Sequence, residues 1–135
     1  MHTHQIVQLP KINDPRGNLS FFQNQDQIPF DIKRTYWIYD VPGGEQRGSH
    51  AFRTQQEFII CLSGSLDVVL HNGFEEFRYS LKRSYYGLFV PPMIWRSMDN
   101  FSTNALALIV SDSIFSEGDY IRDFQTYQQL VKQEN

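Results

Sequence analysis

Residues 65–81, SLDVVLHNGFEEFRYSL, contain two runs of alternating apolar and polar side chains on either side of Asn72-Gly73. A repeat of two residues is typical of strands that bury one face. An Asn-Gly pair tolerates the positive φ values that a tight primed turn requires. The stretch therefore predicts an antiparallel hairpin with a two-residue turn at Asn72-Gly73.

The same pattern of short apolar segments and turn residues continues along most of the chain, with Gly43-Gly44 and Pro91-Pro92 among the turn signals. It predicts many short strands in a sandwich or barrel. The predicted strands cover residues 5–9, 19–23, 35–40, 49–52, 57–62, 66–71, 74–80, 87–90, 94–98 and 105–110. After Ser116 the apolar spacing becomes helical and predicts a C-terminal amphipathic helix that contains Tyr120, Ile121, Phe124, Tyr127, Leu130 and Val131.

Length and composition indicate one globular domain spanning residues 1–135, with 41% hydrophobic and 20% charged residues. The net charge of -3 provides no general attraction for nucleic acid or an anionic membrane. No apolar run is long enough to span a bilayer, and the N-terminus lacks the apolar region of a signal peptide, so we expect a cytoplasmic protein. Cys61 is the single cysteine, which excludes an intrachain disulfide and a thiolate zinc cluster.

The stretch RGSHAFRTQQEF, residues 47–58, holds the first candidates for chemistry. Strand alternation places His50 and Phe52 on one face, and Glu57 begins the next predicted strand. The spacing is similar to the first cupin motif, in which His-x-His and a later Glu bind a metal. The second cupin motif, PxGxxH, corresponds to residues 91–96, where Met93 and Arg96 replace its glycine and histidine.

Two of the four ligand positions of these two motifs are therefore lost, because Phe52 replaces the second histidine of the first motif and Arg96 replaces the histidine of the second. A transition metal normally needs three or four protein ligands, and the permanent charge of Arg96 would repel a cation. His2 and His4 form no ligand set, because chain termini are usually frayed. We expect a protein without a metal or another cofactor.

Six stretches, in order along nearly the whole chain, carry a more specific resemblance. The chain resembles the thymidine-diphosphate-sugar 3,4-ketoisomerases, metal-free cupins that are also called WxcM-like proteins. The resemblance implies an all-β, cupin-type β-barrel (jelly roll) with a C-terminal α-helix, and a homodimer that pairs through N-terminal strands. The matching stretches are DPRGNLSFF (14–22), IPFDIKRTYWIYD (28–40), RGSHA (47–51), CLSGSLDVVLHNG (61–73), GLFVPPMIW (87–95) and DYIRDF (119–124).

The family resemblance also implies a reaction. A thymidine-diphosphate-linked 4-keto-6-deoxyhexose becomes its 3-keto isomer during deoxyamino-sugar biosynthesis. A base removes the C3 proton, and the resulting enediol is reprotonated at C4. Histidine suits this step because its ordinary pKa lies near physiological pH. His50 corresponds to the first of two active-site histidines in the family, and Phe52 corresponds to the second.

Further site residues follow from the same resemblance. Tyr36 or Glu57 could help to move the protons on the sugar oxygens. Arg16, Arg34 and Arg47 are the candidates for the diphosphate, since planar guanidinium groups match phosphate oxygens.

Two other side chains have open assignments. Arg96 either reaches the substrate or forms an internal pair with Glu57, and in the second case Glu57 is structural. Trp95 is a candidate for stacking on thymine, with Trp37 and the tyrosines as further possibilities, although most aromatic side chains in a barrel belong to its core.

The substitution at Phe52 leaves three functions open, because a phenyl ring cannot move a proton. A single base could shuttle one proton from C3 to C4. Alternatively, the protein binds a nucleotide sugar without catalysis, or it is a 3,5-epimerase-like enzyme that acts on another keto sugar.

Overall fold

The computed structural model describes residues 3–134, so His2 lies outside the described residues. Within this range, short strands precede a single α-helix. The elements are β1 (Gln5–Gln8), β2 (Lys11–Ile12), β3 (Leu19–Ser20), β4 (Arg34–Ile38), β5 (Arg47–Phe52), β6 (Glu57–Ser63), β7 (Leu66–His71), β8 (Glu76–Leu81), β9 (Tyr86–Val90), β10 (Trp95–Asp99), β11 (Leu106–Ser111), β12 (Tyr120–Ile121) and α1 (Phe124–Glu134).

Two five-stranded sheets form the body of the protein, and the β2–β3 hairpin forms a separate small sheet. One large sheet has the order β1-β9-β6-β11-β4, and the other has the order β12-β5-β10-β7-β8. The largest apolar cluster draws on both sheets and includes Ile59, Leu66, Val68, Leu70, Leu88, Met98 and Ile109. The arrangement is a jelly-roll β-barrel, which confirms the predicted all-β fold.

Strand β6 is buried on both faces, which explains its continuous apolar sequence FIIC. Ile59 and Cys61 face the cluster between the sheets. Phe58 and Ile60 face outward and are covered by a second cluster that includes Ile28 and Phe30 from the loop before β4, together with Leu9, Phe89 and Val110. Full burial of each such side chain stabilises the fold by about 1.5–3 kcal/mol.

The hairpin of residues 65–81 is present, but its turn differs from the prediction. The ladder ends with His71 opposite Glu76, so four residues connect the strands. Asn72 precedes the tightest part of the turn, where its side-chain oxygen accepts hydrogen bonds from the backbone N–H groups of Phe74 and Glu75. Gly73 supplies the positive φ, +99°. The predicted two-residue turn was wrong because Asn72 acts through its side chain rather than as a central turn residue.

The C-terminal helix is confirmed, but it begins at Phe124 instead of including Tyr120 and Ile121. The Asp123 carboxylate accepts a hydrogen bond from the N–H of Thr126 at 2.9 Å, which is the bond of a helix N-cap. The two earlier residues form β12 and pair with β5.

Helix α1 packs on the outer face of the second sheet. Its residues Tyr127 and Val131 form an apolar cluster with Ala51 and Ile121. The Tyr127 hydroxyl also hydrogen-bonds to the carbonyl oxygens of His71 and Met93, each at 2.9 Å. No helix in residues 3–134 has the length and apolar character needed to cross a membrane.

Candidate active site

The candidate base, His50, lies near the C-terminal end of β5. His50 and Phe52 point into the barrel, whereas Ala51 between them packs under the helix. Both inward side chains are buried, His50 with 6% of its surface exposed and Phe52 with 4%. Their rings contact each other edge to face, with centroids 4.7 Å apart.

A β-bulge in β5 makes room for a guanidinium group next to His50. Arg96 lies opposite His50 in the β5–β10 ladder, and the register then shifts so that Met98 lies opposite Arg47. Gly48, in the bulged segment, has φ +69°, and a Cβ atom there would lie 2.4 Å from Nη1 of Arg96. The carbonyl of Gly48 accepts a hydrogen bond from that nitrogen at 3.2 Å. Only glycine satisfies both the backbone angle and the close approach.

Three inward side chains from different strands form a buried ionic network. Arg96 donates to Glu57 through Nε at 2.8 Å and through Nη2 at 3.2 Å. The Tyr36 hydroxyl donates to Oε2 of Glu57 and accepts from Nη2 of Arg96 at 2.7 Å. The exposed fractions of the Arg96 and Glu57 side chains are 2% and 1%. Of the two alternatives for Arg96, the internal pair with Glu57 is the one observed.

This network fixes the charge states of its members. Burial is the largest single effect on Arg96 and disfavours its charge, but the Glu57 carboxylate, Tyr36 and Tyr120 together outweigh burial and raise the pKa of the guanidinium. Burial also raises the pKa of the Tyr36 phenol, and the positive charge of Arg96 opposes that shift without cancelling it. Arg96 is therefore charged and Tyr36 is neutral near pH 7, with their hydrogen-bonding groups directed at Glu57.

His50 has the opposite electrostatic character, because it lacks a counterion. Burial lowers its pKa to about 2, and the positive charges of Arg96, Arg122 and Arg34 add to the effect. Its Nδ1 atom is buried and has no hydrogen-bond partner. A buried polar atom without a partner costs about 1–3 kcal/mol, and in a folded protein it often marks a functional position. The imidazole is neutral near pH 7 and can accept a proton.

Arg34 reaches the same end of the barrel from β4. Its guanidinium carbon lies 4.8 Å from the centroid of the Tyr36 ring and 5.6 Å from that of Phe115. Nη2 of Arg34 makes a long hydrogen bond of 3.5 Å to the Tyr120 hydroxyl. Its buried Nε atom has no partner. This cation therefore has an unused donor close to His50, as a ligand for an anion or a sugar oxygen requires.

Three predicted substrate contacts lie elsewhere in the chain. Arg16 is on the β2–β3 hairpin, largely exposed, and pairs with Asp14 at 2.9 Å. Arg47 is exposed and lines a surface groove with Tyr39 and Pro42. Trp95 points out of the barrel and packs between the sheet and the helix, with ring centroids 5.2 Å from Phe124. Trp95, the candidate for stacking on thymine, therefore lies on the opposite face of β10 from Arg96, because strand alternation directs Arg96 inward and its neighbour outward.

Two residues near His50 were missed by the sequence analysis. The Tyr120 ring lies 4.9 Å from His50 and 4.6 Å from Phe52, measured between centroids. The Arg122 guanidinium carbon lies 4.1 Å from the centroid of the Tyr120 ring. Both belong to the matching stretch DYIRDF, which was the available signal, but the helical spacing there assigned them to the helix.

The donor set of the barrel interior does not match a cupin metal site. Among the described residues 3–134, no three His, Cys, Asp or Glu side chains are grouped closely enough to hold a metal ion. Met93 has φ +62°, so the turn at the second motif keeps the backbone of the glycine it replaces. The motif's histidine position is occupied by Arg96, whose charge is neutralised by Glu57, the remaining carboxylate of the motif.

The fold and the site together define a cupin-type jelly roll whose interior holds an unpaired histidine beside an arginine–glutamate–tyrosine network. A family model described as FdtA, WxcM-like, C-terminal matches residues 2–132. The chain therefore belongs to the WxcM-like family that was expected from the sequence.

Individual relatives agree with this assignment over their full lengths. The TDP-4-oxo-6-deoxy-alpha-D-glucose-3,4-oxoisomerase of Aneurinibacillus thermoaerophilus is 33% identical over 132 residues, which cover 98% of this chain and 95% of that protein. The crystal structure of a 3,4-ketoisomerase from Helicobacter canadensis has a TM-score of 0.93 at 35% identity, with 98% of this chain and 99% of that one covered.

A third relative was solved with a sugar nucleotide. A mutant of the 3,4-ketoisomerase QdtA from Thermoanaerobacterium thermosaccharolyticum, in complex with TDP-4-keto-6-deoxyglucose, has a TM-score of 0.95 at 30% identity. The match covers 98% of this chain and 96% of that one. These similar proteins are TDP-sugar 3,4-ketoisomerases.

Proposed function

We propose that this chain isomerises a thymidine-diphosphate-linked 4-keto-6-deoxyhexose to the 3-keto isomer, in the biosynthesis of a deoxyamino sugar. The relatives with this activity match it from end to end. The observation that carries the proposal is His50, a buried imidazole without a counterion and with an unpartnered Nδ1 atom. A structural histidine in a barrel would normally have its polar atoms satisfied.

In the proposed reaction His50 removes the proton from C3 and returns it to C4. The base is neutral near pH 7 and available, although burial makes its protonated form unstable in the free protein. Removal of the C3 proton develops negative charge on the C4 oxygen, close to Arg34 and Arg96, before that oxygen is protonated to give the enediol. Positive groups that are already oriented towards developing negative charge stabilise it without reorganisation. The negative charge would also stabilise the imidazolium during its short lifetime.

The remaining candidates have supporting roles in this proposal. Tyr36 and Glu57 hold Arg96 in place and form a polar wall for the sugar hydroxyls. Arg34 contributes its unused Nε donor to an oxygen of the substrate. Arg16 and Arg47 are exposed and would contact the diphosphate, with Arg16 exchanging its pairing with Asp14 for a phosphate oxygen. Phe52 supplies an apolar surface beside His50 where the family has a second histidine.

A second candidate function, non-catalytic binding of the same nucleotide sugar, is favoured by Phe52 alone. The ring is buried against His50 and Tyr120, so its position offers no group that titrates. On this alternative, the barrel still accepts the sugar nucleotide, and no proton leaves C3.

One incubation distinguishes the candidates. The protein is mixed with TDP-4-keto-6-deoxyglucose in deuterated water, and the sugar protons are followed by NMR. We expect signals of the 3-keto product. Deuterium at C5 without that product would instead indicate a 3,5-epimerase-like enzyme, and ligand binding without product or exchange would indicate a binding protein. Either of the last two results would overturn the proposal.

We also propose that the protein is a homodimer, in the cytoplasm. The β2–β3 hairpin exposes Ile12 and Leu19. Trp37 on the outer face of β4 and Tyr39 just after this strand have 58% and 61% of their surfaces accessible. The outer face also lines a groove of about 500 Å³ with Leu62, Leu106 and Leu108. Apolar surface of this extent commonly marks an interface. Sedimentation analysis should give twice the chain mass, and a monomer at micromolar concentration would contradict the proposal.

A further inference from the structure

The short strand β12 places a phenol directly beside the candidate base. Tyr120 lies opposite Phe52 in an antiparallel ladder, and Ile121 lies opposite Ala51. Residues that are opposite each other in such a ladder project to the same face of the sheet. Tyr120 therefore shares the barrel face of Phe52, and its ring contacts both Phe52 and His50.

The Tyr120 hydroxyl is available for proton transfer, in contrast to the other phenol of the site. The Tyr36 hydroxyl already donates to Glu57 and accepts from Arg96. The only hydrogen bond of the Tyr120 hydroxyl within residues 3–134 is the long one that it accepts from Arg34, so its own proton has no acceptor there. The residue is half-buried.

Two cations lie beside this phenol. Nη2 of Arg34 lies 3.5 Å from the hydroxyl oxygen, and the Arg122 guanidinium lies over the ring. Arg122 is held in this position by two hydrogen bonds to the Glu117 carboxylate, at 2.7 and 2.9 Å. Positive charge at these positions stabilises the negative charge that develops on the sugar oxygens during the reaction.

We propose that Tyr120 is the second catalytic residue of this chain and exchanges protons with the two sugar oxygens while His50 moves the carbon-bound proton. The inference rests on the proposed isomerase function. It also accounts for an active site with Phe52, because Tyr120 on the adjacent strand β12 then supplies the second proton-transferring group instead of a residue on β5.

In the first half of the reaction, His50 takes the proton from C3, and the C3–H electron pair forms a C3–C4 double bond. The π electrons of the C4 carbonyl move to oxygen, which takes the proton of Tyr120, so an enediol and a phenolate result. In the second half, the phenolate takes the proton of the 3-hydroxyl, and the C3 carbonyl forms. The double-bond electrons accept the His50 proton at C4. Both side chains return to their starting states, and no co-reactant is consumed.

The test compares Tyr120→Phe with wild type and with the control Tyr79→Phe. Tyr79 lies on β8, at the opposite edge of the sheet from β12, and its hydroxyl bonds to His4. Steady-state conversion of TDP-4-keto-6-deoxyglucose gives kcat and KM. Loss of a general acid–base group typically lowers the rate by about 10²–10⁴-fold. We expect a loss of that size in kcat for Tyr120→Phe, a KM within a few-fold of wild type, an unchanged melting temperature, and near-normal kcat for the control.

A second measurement separates proton transfer from a merely structural role. Fluorotyrosines of graded phenol acidity are incorporated at position 120, and the dependence of kcat on pH is recorded for each. We expect one limb of the profile to move with the acidity of the phenol. A Tyr120→Phe variant with kcat within threefold of an active wild type would overturn the inference, as would profiles that do not move. A wild type that makes no 3-keto product would overturn the proposed function itself, so the two failures are distinguishable.

Discussion

The buried pair of Glu57 and Arg96 provides the sharpest prediction on stability. In Glu57→Gln the side chain keeps its shape but loses its charge, and the Arg96 guanidinium becomes an uncompensated buried cation. The carboxylate accepts two hydrogen bonds from Arg96 and one from Tyr36. Removing one partner of a buried ion pair costs about 3–5 kcal/mol, because the other charge remains away from water.

For a chain of this size a loss of about 3–5 kcal/mol corresponds to a fall in melting temperature of roughly 10–20 °C. Urea unfolding followed by circular dichroism measures the free energy directly, with the slope m as a check that the unfolded state is unchanged. The double variant with Arg96→Met removes the orphaned cation along with its partner. We expect it to recover part of the stability lost in Glu57→Gln alone.

The matched control is Glu117→Gln, which removes a carboxylate from the exposed pair with Arg122. Exposed ion pairs contribute about 0–1 kcal/mol, so the control should lose little. A Glu57→Gln variant that loses no more unfolding free energy than the control would show that the pair is not a buried and mutually compensating one. A double variant whose loss exceeds the sum of the losses of Glu57→Gln and Arg96→Met would show the same.

Three further predictions concern His50 and its neighbours. The pKa of His50 is lowered in the folded protein relative to 6.5, so its contribution to stability is present above pH 6.5 and is lost as the pH falls towards 2. As the pH falls from 6 to 4, the unfolding free energy of wild type should decrease more steeply than that of His50→Asn, and the two slopes should differ by up to about 1.4 kcal/mol per pH unit. Equal slopes would contradict this. Gly48→Ala should destabilise the protein by about 1–3 kcal/mol in urea unfolding, because the new Cβ meets Arg96 and the φ of +69° is strained, and an unchanged midpoint would contradict the packing described. Phe52→His should raise kcat if the chain benefits from the second histidine of its family, whereas an unchanged or lower kcat would show that the present site does not use that position.

Local patterns in the sequence were sufficient for much of the fold. The strands of the 65–81 hairpin and the apolar run FIIC of β6 were predicted because side-chain alternation and buried runs are local features. The helix after Asp123 was predicted because four apolar positions recur on one face. Such features depend on neighbouring residues, so the sequence carries them directly.

Features that depend on distant pairing could not be predicted in the same way. Tyr120 and Ile121 fit a helical repeat as well as they fit a strand, and only the ladder with Phe52 and Ala51 decides between them. The bulge at Gly48 depends likewise on the width of the Arg96 guanidinium across the sheet.

In the candidate site, too, some features could be predicted from the sequence and others could not. His50, Tyr36, Arg34 and Arg96 lie near one another because the inward positions of β4 in one sheet and of β5 and β10 in the other meet inside the barrel, and the family motifs identify those positions. The internal pairing of Arg96 was one of two alternatives, since charge alone does not reveal whether a counterion is within reach.

In the proposed reaction His50 moves the sugar proton although Phe52 replaces the second histidine of the family. The most direct test is the conversion of TDP-4-keto-6-deoxyglucose by wild type and by His50→Asn, followed side by side by NMR, with melting temperatures to show that both are folded. We expect a 3-keto product from wild type and a rate lower by about 10²–10⁴-fold from the folded variant. Equal rates from the two proteins, or no 3-keto product from wild type, would contradict it.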